Sequence, residues 1–509
     1  MPIIVHELLR TGRRDDPLLT FTETGTTWNR GELLERAERC ADALASLGVG
    51  QGDRVAVMLP NRIEYVDLIF GCSLLGAVVV HLHTAAKGQI LERALRLTAP
   101  RCAFALGEDA GRFAAVEGDH ALRVVAVEGF DELVAAAPQR RENPTVSWRD
   151  AACIYSSSGT TGPAKGVTLP HRALFEMAQT SQTVMDFRPD DVAYTVTPLY
   201  HANAFVFMFM TAALAGARTV LADRFRLSQF WSDVERFGAT TTSLVGTAAT
   251  LLLKQQGDDE FRGPELRLIA AIPRPRAWRE FEERFGVQLT EFYGSTEANL
   301  PLGIPHGERR PATCGRVLDG WDCTIVDENE NEVPIGTPGE LLVRPARPGS
   351  VSIGYWGEPE KTVELWQNLW IHTGDLMRRD DDGWFYYVDR LKDAIRVSGE
   401  NVASADVEAA VASFDGIVEA AAFGVPSDLG DQDIMVGVIP RDGAEMDWEA
   451  LRAHCLDRLP YYATPRYFEA FASFPRTPTE RVRKAELRTR GVVATTVDLG
   501  RPRRTEAVR

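Results

Sequence analysis

A loop rich in glycine and hydroxyl residues is the segment of this 509-residue chain best suited to chemistry. It runs Tyr155-Ser-Ser-Ser-Gly-Thr-Thr-Gly-Pro-Ala-Lys-Gly166 and follows the start of an apolar strand. Glycines allow a backbone to approach a phosphate, hydroxyl and N–H groups donate to its oxygens, and a lysine supplies a point charge. The loop is not a Walker loop, because Gly159 and Gly162 stand only three residues apart and Lys165 precedes a glycine. We therefore expect a phosphate cradle, with a plain surface turn as the alternative, formed by Ser156, Ser157, Ser158, Gly159, Thr160, Thr161, Gly162 and Lys165.

Three shorter motifs follow this loop: Tyr293-Gly-Ser-Thr-Glu297, Thr373-Gly-Asp375 and Asp389-Arg-Leu-Lys-Asp393. Taken singly, a Thr-Gly-Asp sequence is usually a turn and a cluster of charged residues is usually a solvated surface. Taken in order with the loop, the motifs resemble the adenylate-forming superfamily of acyl-CoA synthetases, peptide-synthetase adenylation domains and luciferases. The resemblance covers the chain from about Thr27 to Arg488.

Within that superfamily the chain looks most like the carnitine/crotonobetaine-CoA ligase-like group. The segments that carry this narrower resemblance are Pro198–Asn203, Phe225–Trp231 and Asp389–Val402. The resemblance implies that a carboxylate attacks the α-phosphate of ATP, that pyrophosphate leaves, and that coenzyme A then displaces AMP. The expected function is therefore an acid-CoA ligase for a small or aromatic carboxylic acid, with ATP, Mg²⁺ and coenzyme A as cofactor and co-substrates.

The resemblance also implies roles for residues around the phosphates. Thr160, Thr161 and Lys165 would hold the triphosphate while pyrophosphate leaves. Thr296 would donate to the α-phosphate, and Glu297 would hold Mg²⁺, a hard cation that prefers oxygen ligands. The residues expected to be catalytic are Lys165, His201, Thr296, Glu297 and Arg481.

The nucleoside would lie against the second and third motifs. Asp375 would accept hydrogen bonds from the ribose hydroxyls, and Arg390 would brace the same sugar. Tyr293 would stack near the adenine, beside Gly294 and Ser295. A surface ion pair is the alternative interpretation of Asp375 and Arg390.

The acid would bind among residues that precede these motifs. His201 stands where the family places a gate to the acid pocket, although a histidine with apolar neighbours is more often a packed core residue. Arg274, with Arg276, is a candidate for meeting an anionic group. His81 and His83 would share one face of a strand, and packing is favoured over a metal site because the sequence shows no third ligand nearby. The expected pocket residues are His201, Phe205, Met208, Val245, Gly246, Ala270, Ala271 and Arg274.

One position departs from the family pattern, because Arg481 stands where the family has its adenylation lysine. The planar guanidinium fork and the compact ammonium are not interchangeable. Lys484 would point to the opposite face of an extended segment, since it is an odd number of residues away. Three interpretations remain: Arg481 does the lysine's work at a lower rate, the lid serves mainly the second half-reaction, or the activated acid is unusual.

Two other functions stay open at this point. Some members of the superfamily activate nitrite for attack by an aromatic amine, and such an ATP-dependent diazotase would need no coenzyme A. A nucleotide-binding protein without turnover is the third hypothesis. Gly399, expected where a missing side chain lets a thiol reach the adenylate, favours the ligase, and Lys392 fits the hinge of the lid.

Composition limits the partners. The net charge of −16 and pI near 5.2 lack the basic surface of a nucleic-acid binder, so a small-molecule acid is the expected partner. The seven cysteines form no C-x-x-C pair, and the first residues show no signal peptide, which together suggest a cytoplasmic protein. The longest apolar stretches, Leu68–Val80 and Phe205–Gly216, are too short to span a bilayer. A monomer or homodimer is expected.

The elements that position these motifs alternate between helix and strand. Apolar residues at helical spacing from Thr27, followed by the strand Arg54–Pro60, begin an α/β pattern that favours parallel sheets covered by helices. Short strands and turns between about Gly315 and Arg390 indicate antiparallel β structure, and the tail after Gly491 is expected to be loose. The pattern predicts an α/β fold with a large N-terminal domain, residues 1–391, and a separate small α+β domain, residues 392–509. The resemblance implies that the large domain consists of two α/β subdomains plus a β-barrel region and that the small C-terminal domain is a mobile lid.

Overall fold

The computed structural model describes residues 3–116, 122–140, 142–156, 165–255, 265–275, 277–391, 393, 395–397, 400–427, 432–441, 446–477 and 480–501. The helices are α1 (Arg30–Ser46), α2 (Ile63–Leu75), α3 (Gly88–Thr98), α4 (Phe130–Ala136), α5 (His171–Met185), α6 (Thr211–Ala215), α7 (Phe230–Phe237), α8 (Gly246–Lys254), α9 (Trp278–Phe285), α10 (Pro359–Leu365), α11 (Ser404–Ala412), α12 (Trp448–Arg458) and α13 (Lys484–Arg490). No helix within these ranges is long and apolar enough to cross a membrane.

Within the described ranges the strands fall into six sheets. They are β1 (Pro17–Phe21), β2 (Thr27–Asn29), β3 (Arg54–Met58), β4 (Val78–His81), β5 (Cys102–Ala105), β6 (Arg123–Ala126), β7 (Ala151–Ser156), β8 (Gly166–Pro170), β9 (Val192–Thr195), β10 (Arg218–Leu221), β11 (Thr241–Val245), β12 (Leu268–Ile272), β13 (Gln288–Thr290), β14 (Phe292–Ser295), β15 (Asn299–Gly303), β16 (Arg316–Val317), β17 (Trp321–Val326), β18 (Gly339–Pro345), β19 (Gly354–Tyr355), β20 (Trp366–Gln367), β21 (Trp370–Arg379), β22 (Phe385–Arg390), β23 (Ile395–Val397), β24 (Glu400–Val402), β25 (Ile417–Pro426), β26 (Gln432–Pro440), β27 (Tyr467–Ala470) and β28 (Val497–Asp498).

The first seven-stranded sheet holds both ends of the predicted phosphate loop. Its order is β19-β8-β7-β4-β3-β5-β6, with β7, β4, β3, β5 and β6 parallel. Strands β7 and β8 are antiparallel, and Ser156 at the end of β7 pairs with Gly166 at the start of β8. The loop is therefore the connection of a β-hairpin, and the sheet fixes where it leaves and where it returns.

The second seven-stranded sheet gathers the predicted acid pocket at one edge. Its order is β13-β12-β11-β9-β10-β1-β2, and every pair except β1 with β2 is parallel. Because parallel strands end at the same side of a sheet, Thr195, Val245 and Ile272 lie along one edge. The helix–strand alternation predicted parallel sheets, and that prediction is confirmed.

The helical segment after His201 is irregular. The structure forms a π-helix at Asn203–Met210 and only then the short α-helix α6. The run of large side chains from Phe205 onward is buried almost throughout, so packing against α2 and α5 sets the backbone here more than helical propensity does. π-helical turns are frequent at functional sites, and this one begins two residues after His201.

Antiparallel pairing runs from β14 to β22, which confirms the antiparallel structure predicted between about Gly315 and Arg390 and extends it back to Phe292. They form a three-stranded sheet, β14-β15-β16, and a five-stranded sheet, β17-β18-β21-β20, in which β22 pairs with β21. The pairing of β21 with β22 sets Asp375 directly opposite Arg390. Two residues far apart in sequence thus become cross-strand neighbours.

The residues after β22 form the small α+β domain. Strands β25-β26-β27-β28 make a sheet beside α11, α12 and α13, and this part has its own hydrophobic clusters. The expectation of a loose tail after Gly491 is wrong as far as residue 501. Strand β28 pairs with β27, and the Arg501 guanidinium donates to Asp433 at 2.8 Å, because an acidic group on the sheet gives the basic tail a partner.

Candidate active site

The exit of the phosphate loop is fixed by an aromatic contact. Six of the predicted loop residues lie outside the described residues: Ser157, Ser158, Gly159, Thr160, Thr161 and Gly162. Three other residues named in the sequence analysis also lie outside them: Arg276, Lys392 and Gly399. Ser156 ends β7 and is exposed. The Lys165 ammonium lies 4.2 Å from the centroid of the Tyr355 ring, a cation–π contact.

The second motif forms the turn of a β-hairpin between β14 and β15. Gly294 is required there, since a Cβ would lie 2.2 Å from the Asn299 carbonyl oxygen. Ser295 accepts the N–H of Ala298 at 3.0 Å, which closes the turn that carries Thr296. Both Thr296 and Glu297 are partly exposed, so the turn presents a hydroxyl and a carboxylate together.

Asp375 is the most deeply buried acid of the site. It is 2% exposed, and its Oδ2 accepts a 2.5 Å hydrogen bond from the Tyr293 hydroxyl. Arg390 Nε lies 2.9 Å from Oδ1, yet no described donor is aligned to hydrogen-bond that oxygen. Burial raises the pKa of Asp375, while Arg390 and the Tyr293 bond oppose the shift. Oδ1 is therefore a buried acceptor beside a cation, ready for a hydroxyl donor.

Tyr355 belongs to this site and was missed by the sequence analysis. Its hydroxyl donates to Glu297 Oε1 at 3.1 Å while its ring covers Lys165. It lies in β19, which pairs with β8 immediately after the loop. The Gly354-Tyr355 dipeptide gave no sign of this role, because a two-residue strand has no periodicity to detect.

Arg481, an exposed residue of the small domain, influences the same site through its charge. Its charge acts on the Asp375 carboxylate and opposes, together with Arg390, the burial that raises the pKa of that group. Lys484 is held elsewhere: its ammonium lies 2.5 Å from Ser404 Oγ and 2.7 Å from Glu408 Oε1. This agrees with the expectation that Lys484 is a poor substitute for the missing lysine.

Histidines meet beside the predicted acid pocket. The ring centroids of His201 and His83 are 6.3 Å apart, a proximity that sequence spacing did not indicate. Burial lowers the pKa of His201 to about 4, with His83 adding to the shift, so the ring is neutral at pH 7. His83 Nδ1 accepts the N–H of Ala85 at 2.9 Å, so the proton of the neutral His83 ring is assigned to Nε2. His83 Nε2 lies 3.4 Å from the Tyr200 hydroxyl. Among the described residues, no group of three or more His, Cys, Asp or Glu is arranged to hold a metal.

The other predicted pocket residues divide into exposed and buried ones. Val245 is 58% exposed at the end of β11, and the next residue must be Gly246 because a Cβ there would lie 2.4 Å from the Pro273 carbonyl oxygen. Phe205 stacks on Phe209 in the core. Three more are fully buried and present no open surface: Met208, Ala270 and Ala271.

Arg274 is already compensated by its surroundings. Its side chain is 4% exposed, lies 3.7 Å from Glu291, and donates to the Arg310 carbonyl at 2.7 Å. The guanidinium also covers the Trp278 ring at 4.7 Å. An anionic substrate group at Arg274 would have to compete with the Glu291 carboxylate.

The fold and these juxtaposed motifs define an AMP-forming ligase. The family model described as "AMP-binding enzyme" matches residues 10–356, and the model of the "AMP-binding enzyme C-terminal domain" matches residues 406–481. The chain belongs to the AMP-binding enzyme family.

Its relatives narrow the class to the acid-CoA ligases. The chain is 32% identical to a sulfoacetate–CoA ligase of Cupriavidus necator, covering 93% of this chain and 94% of that protein. It is 27% identical to a crotonobetaine/carnitine–CoA ligase of Salmonella paratyphi B, covering 90% and 92%. The structure superposes on ATP-bound MatB from Rhodopseudomonas palustris with a TM-score of 0.86 at 26% identity, covering 96% and 99%. The predicted family, fold and acid-CoA ligase activity are confirmed, and ATP and coenzyme A are consistent with these relatives.

Proposed function

We propose that this chain activates a small or aromatic carboxylic acid with ATP and that Asp375 is its nucleotide anchor. The buried Oδ1, which has a cation beside it and no aligned donor among the described residues, carries the proposal. A carboxylate accepts from a cis diol with both oxygens, and a ribose offers that diol. Burial and the Asp375 charge raise the pKa of Tyr293, so its hydroxyl stays protonated and holds the carboxylate in place.

The triphosphate would extend from Asp375 toward Lys165 and Glu297. The ammonium would offset the charge of the leaving pyrophosphate, the Thr160 and Thr161 hydroxyls would donate hydrogen bonds to it, and Thr296 would donate to the α-phosphate. Glu297 fits Mg²⁺, because Mg²⁺ in nucleotide sites is held by one or two carboxylates together with phosphate oxygens. When bound, the cation supplies charge neutralisation at the phosphates.

Arg481 would be the cation that meets the attacking carboxylate. Its charge already acts at Asp375, and Lys484 is bound to Ser404 and Glu408. A guanidinium offers two parallel N–H groups, which match the two oxygens of a carboxylate. Of the three interpretations of this substitution, direct participation of Arg481 has the most support.

The second half-reaction would use the small domain as a lid. We place the domain boundary at Leu391/Lys392, where β22 ends, with Lys392 as the hinge and Gly399 beside the path of the thiol. The hydrophobic clusters support this division, because those of the small domain contain only residues after 391. Coenzyme A is the proposed acceptor, as in the named CoA ligases.

The acid would enter between the end of β11 and the histidine cluster. Exposed Val245 provides an apolar wall, and neutral His201 provides a hydrogen-bonding edge without a net charge. Large side chains such as Phe205 fill the space behind. This combination favours a short or aromatic acid over a long chain.

The test is ATP-dependent pyrophosphate release across short, aromatic and sulfonated acids and nitrite, each with and without coenzyme A. We expect an acid to be required and AMP and a thioester to form. Asp375→Asn should raise the KM for ATP about 10- to 150-fold, since each hydrogen bond to a charged group contributes about 1.5–3 kcal/mol. The exposed Asp319→Asn is the matched control and should leave KM unchanged. Turnover of nitrite with an aromatic amine and no thiol would replace the ligase with a diazotase, and an unchanged KM in Asp375→Asn would refute the nucleotide anchor.

A further inference from the structure

Tyr355 contacts two charged residues from different motifs with different parts of its side chain. The face of the ring lies 4.2 Å from the Lys165 ammonium. The hydroxyl donates to Glu297 Oε1 at 3.1 Å. Tyr355 is 9% exposed, so both contacts are largely shielded from water. This shielding strengthens a cation–π contact and a hydrogen bond to a charged group.

The backbone around Tyr355 is tied to both motifs. The Tyr355 N–H donates to the Thr362 hydroxyl at 2.9 Å, and the next N–H donates to the Gly166 carbonyl at 2.8 Å, directly after Lys165. On the other side, the N–H of Ser352 donates to the Glu297 carbonyl at 3.2 Å. The ring is therefore held between the exit of the loop and the Thr-Glu turn by main-chain bonds that do not depend on its hydroxyl.

We propose that Tyr355 is a positioning residue that holds Lys165 and Glu297 on one triphosphate site before ATP binds. The ring face holds the Lys165 ammonium by a cation–π contact, and the hydroxyl donates a hydrogen bond to one oxygen of the Glu297 carboxylate. The inference rests on the proposed function, in which Lys165 contacts the triphosphate and Glu297 the metal.

The two contacts can be separated by substitution. Tyr355→Phe keeps the ring over Lys165 and removes only the donor to Glu297, whereas Tyr355→Leu removes both. We expect Tyr355→Phe to raise the Mg²⁺ concentration for half-maximal pyrophosphate release about fivefold and to leave the Kd of ATP measured in EDTA unchanged. Tyr355→Leu should raise the Mg²⁺ requirement equally and weaken metal-free ATP binding about fivefold as well.

Three controls make the result decisive. Tyr461→Leu changes an exposed tyrosine of the small domain and should alter neither quantity. Glu297→Gln tests the proposed role of Glu297 as the metal residue. Circular dichroism and melting temperature check that each variant folds, and Tyr355→Phe is the variant least able to disturb the fold. If Glu297→Gln raises the Mg²⁺ requirement and both Tyr355 variants leave it and metal-free ATP binding unchanged, Tyr355 has no positioning role and the proposed function stands. If Glu297→Gln has no effect on the requirement, the proposed metal residue fails and the inference falls with it.

Discussion

Glu291→Gln should change how the stability of the protein depends on pH. Burial raises the pKa of Glu291 from 4.5 to about 7, against the opposing charge of Arg274. The side chain is 12% exposed, so solvent screens the effect only weakly. Glu291 lies two residues before Tyr293, so its ionisation changes the charge next to the proposed nucleotide site.

The sign follows from the raised pKa. The folded state binds the proton more tightly than the unfolded chain, so the stability contributed by protonated Glu291 is complete below pH 4.5 and is lost as the pH rises through about 7. A shift from 4.5 to about 7, at roughly 1.4 kcal/mol per unit, corresponds to about 3 kcal/mol. Glutamine cannot ionise, and the variant should lack this loss.

The assay is urea unfolding of wild type and Glu291→Gln at several values between pH 4.5 and pH 7.5. The free energy of unfolding of wild type relative to the variant should fall by about 3 kcal/mol across this range. Glu283→Gln, at an exposed glutamate of α9, should follow the wild-type profile. A difference between wild type and Glu291→Gln that stays constant with pH would mean that Arg274 keeps the carboxylate ionised throughout, and the burial argument would be refuted.

Two further predictions concern the small domain. Arg481→Ala should lower acid-dependent pyrophosphate release about 100-fold or more and leave thioester formation from a supplied acyl-adenylate intact. Arg481→Lys should stay within about tenfold of wild type. Equal loss of both half-reactions in stopped-flow assays would contradict direct participation of Arg481. Lys484→Met should lower the unfolding free energy of the small domain by about 1–3 kcal/mol, because it removes the cationic partner of half-buried Glu408, which also accepts the N–H of Ala422. Lys484→Arg should restore part of this loss in thermal melts. An unchanged melt in Lys484→Met would show that the contact to Ser404 and Glu408 contributes nothing.

Local pattern was enough to predict much of the scaffold. The helical spacing from Thr27 corresponds to α1, and the strand predicted from Arg54 is β3, because both depend on residues close in sequence. The motifs likewise predicted that Asp375 and Arg390 act together. Their cross-strand register in β21 and β22 makes that pairing direct.

Contacts between distant segments were beyond the sequence pattern. The bond from Tyr293 to Asp375 spans 82 residues, and the one from Tyr355 to Glu297 spans 58. Glu291 was not singled out, although it compensates Arg274, because nothing in local spacing shows which carboxylate a buried arginine meets. The π-helix at Asn203–Met210 escaped prediction for the same reason, since tertiary packing sets its backbone.

The position of Lys484 clarifies the unusual arginine. Lys484 opens α13 and lies three residues after Arg481, and its ammonium contacts Ser404 and Glu408. Moving it into the active site would strand the Glu408 carboxylate, whose burial already raises its pKa. Ser404 in turn donates to Asp389 at 2.6 Å, so the same contact ties α13 to the strand that carries Arg390. The lysine thus anchors the segment, which supports the proposal that the Arg481 guanidinium, and not Lys484, serves adenylation in this chain.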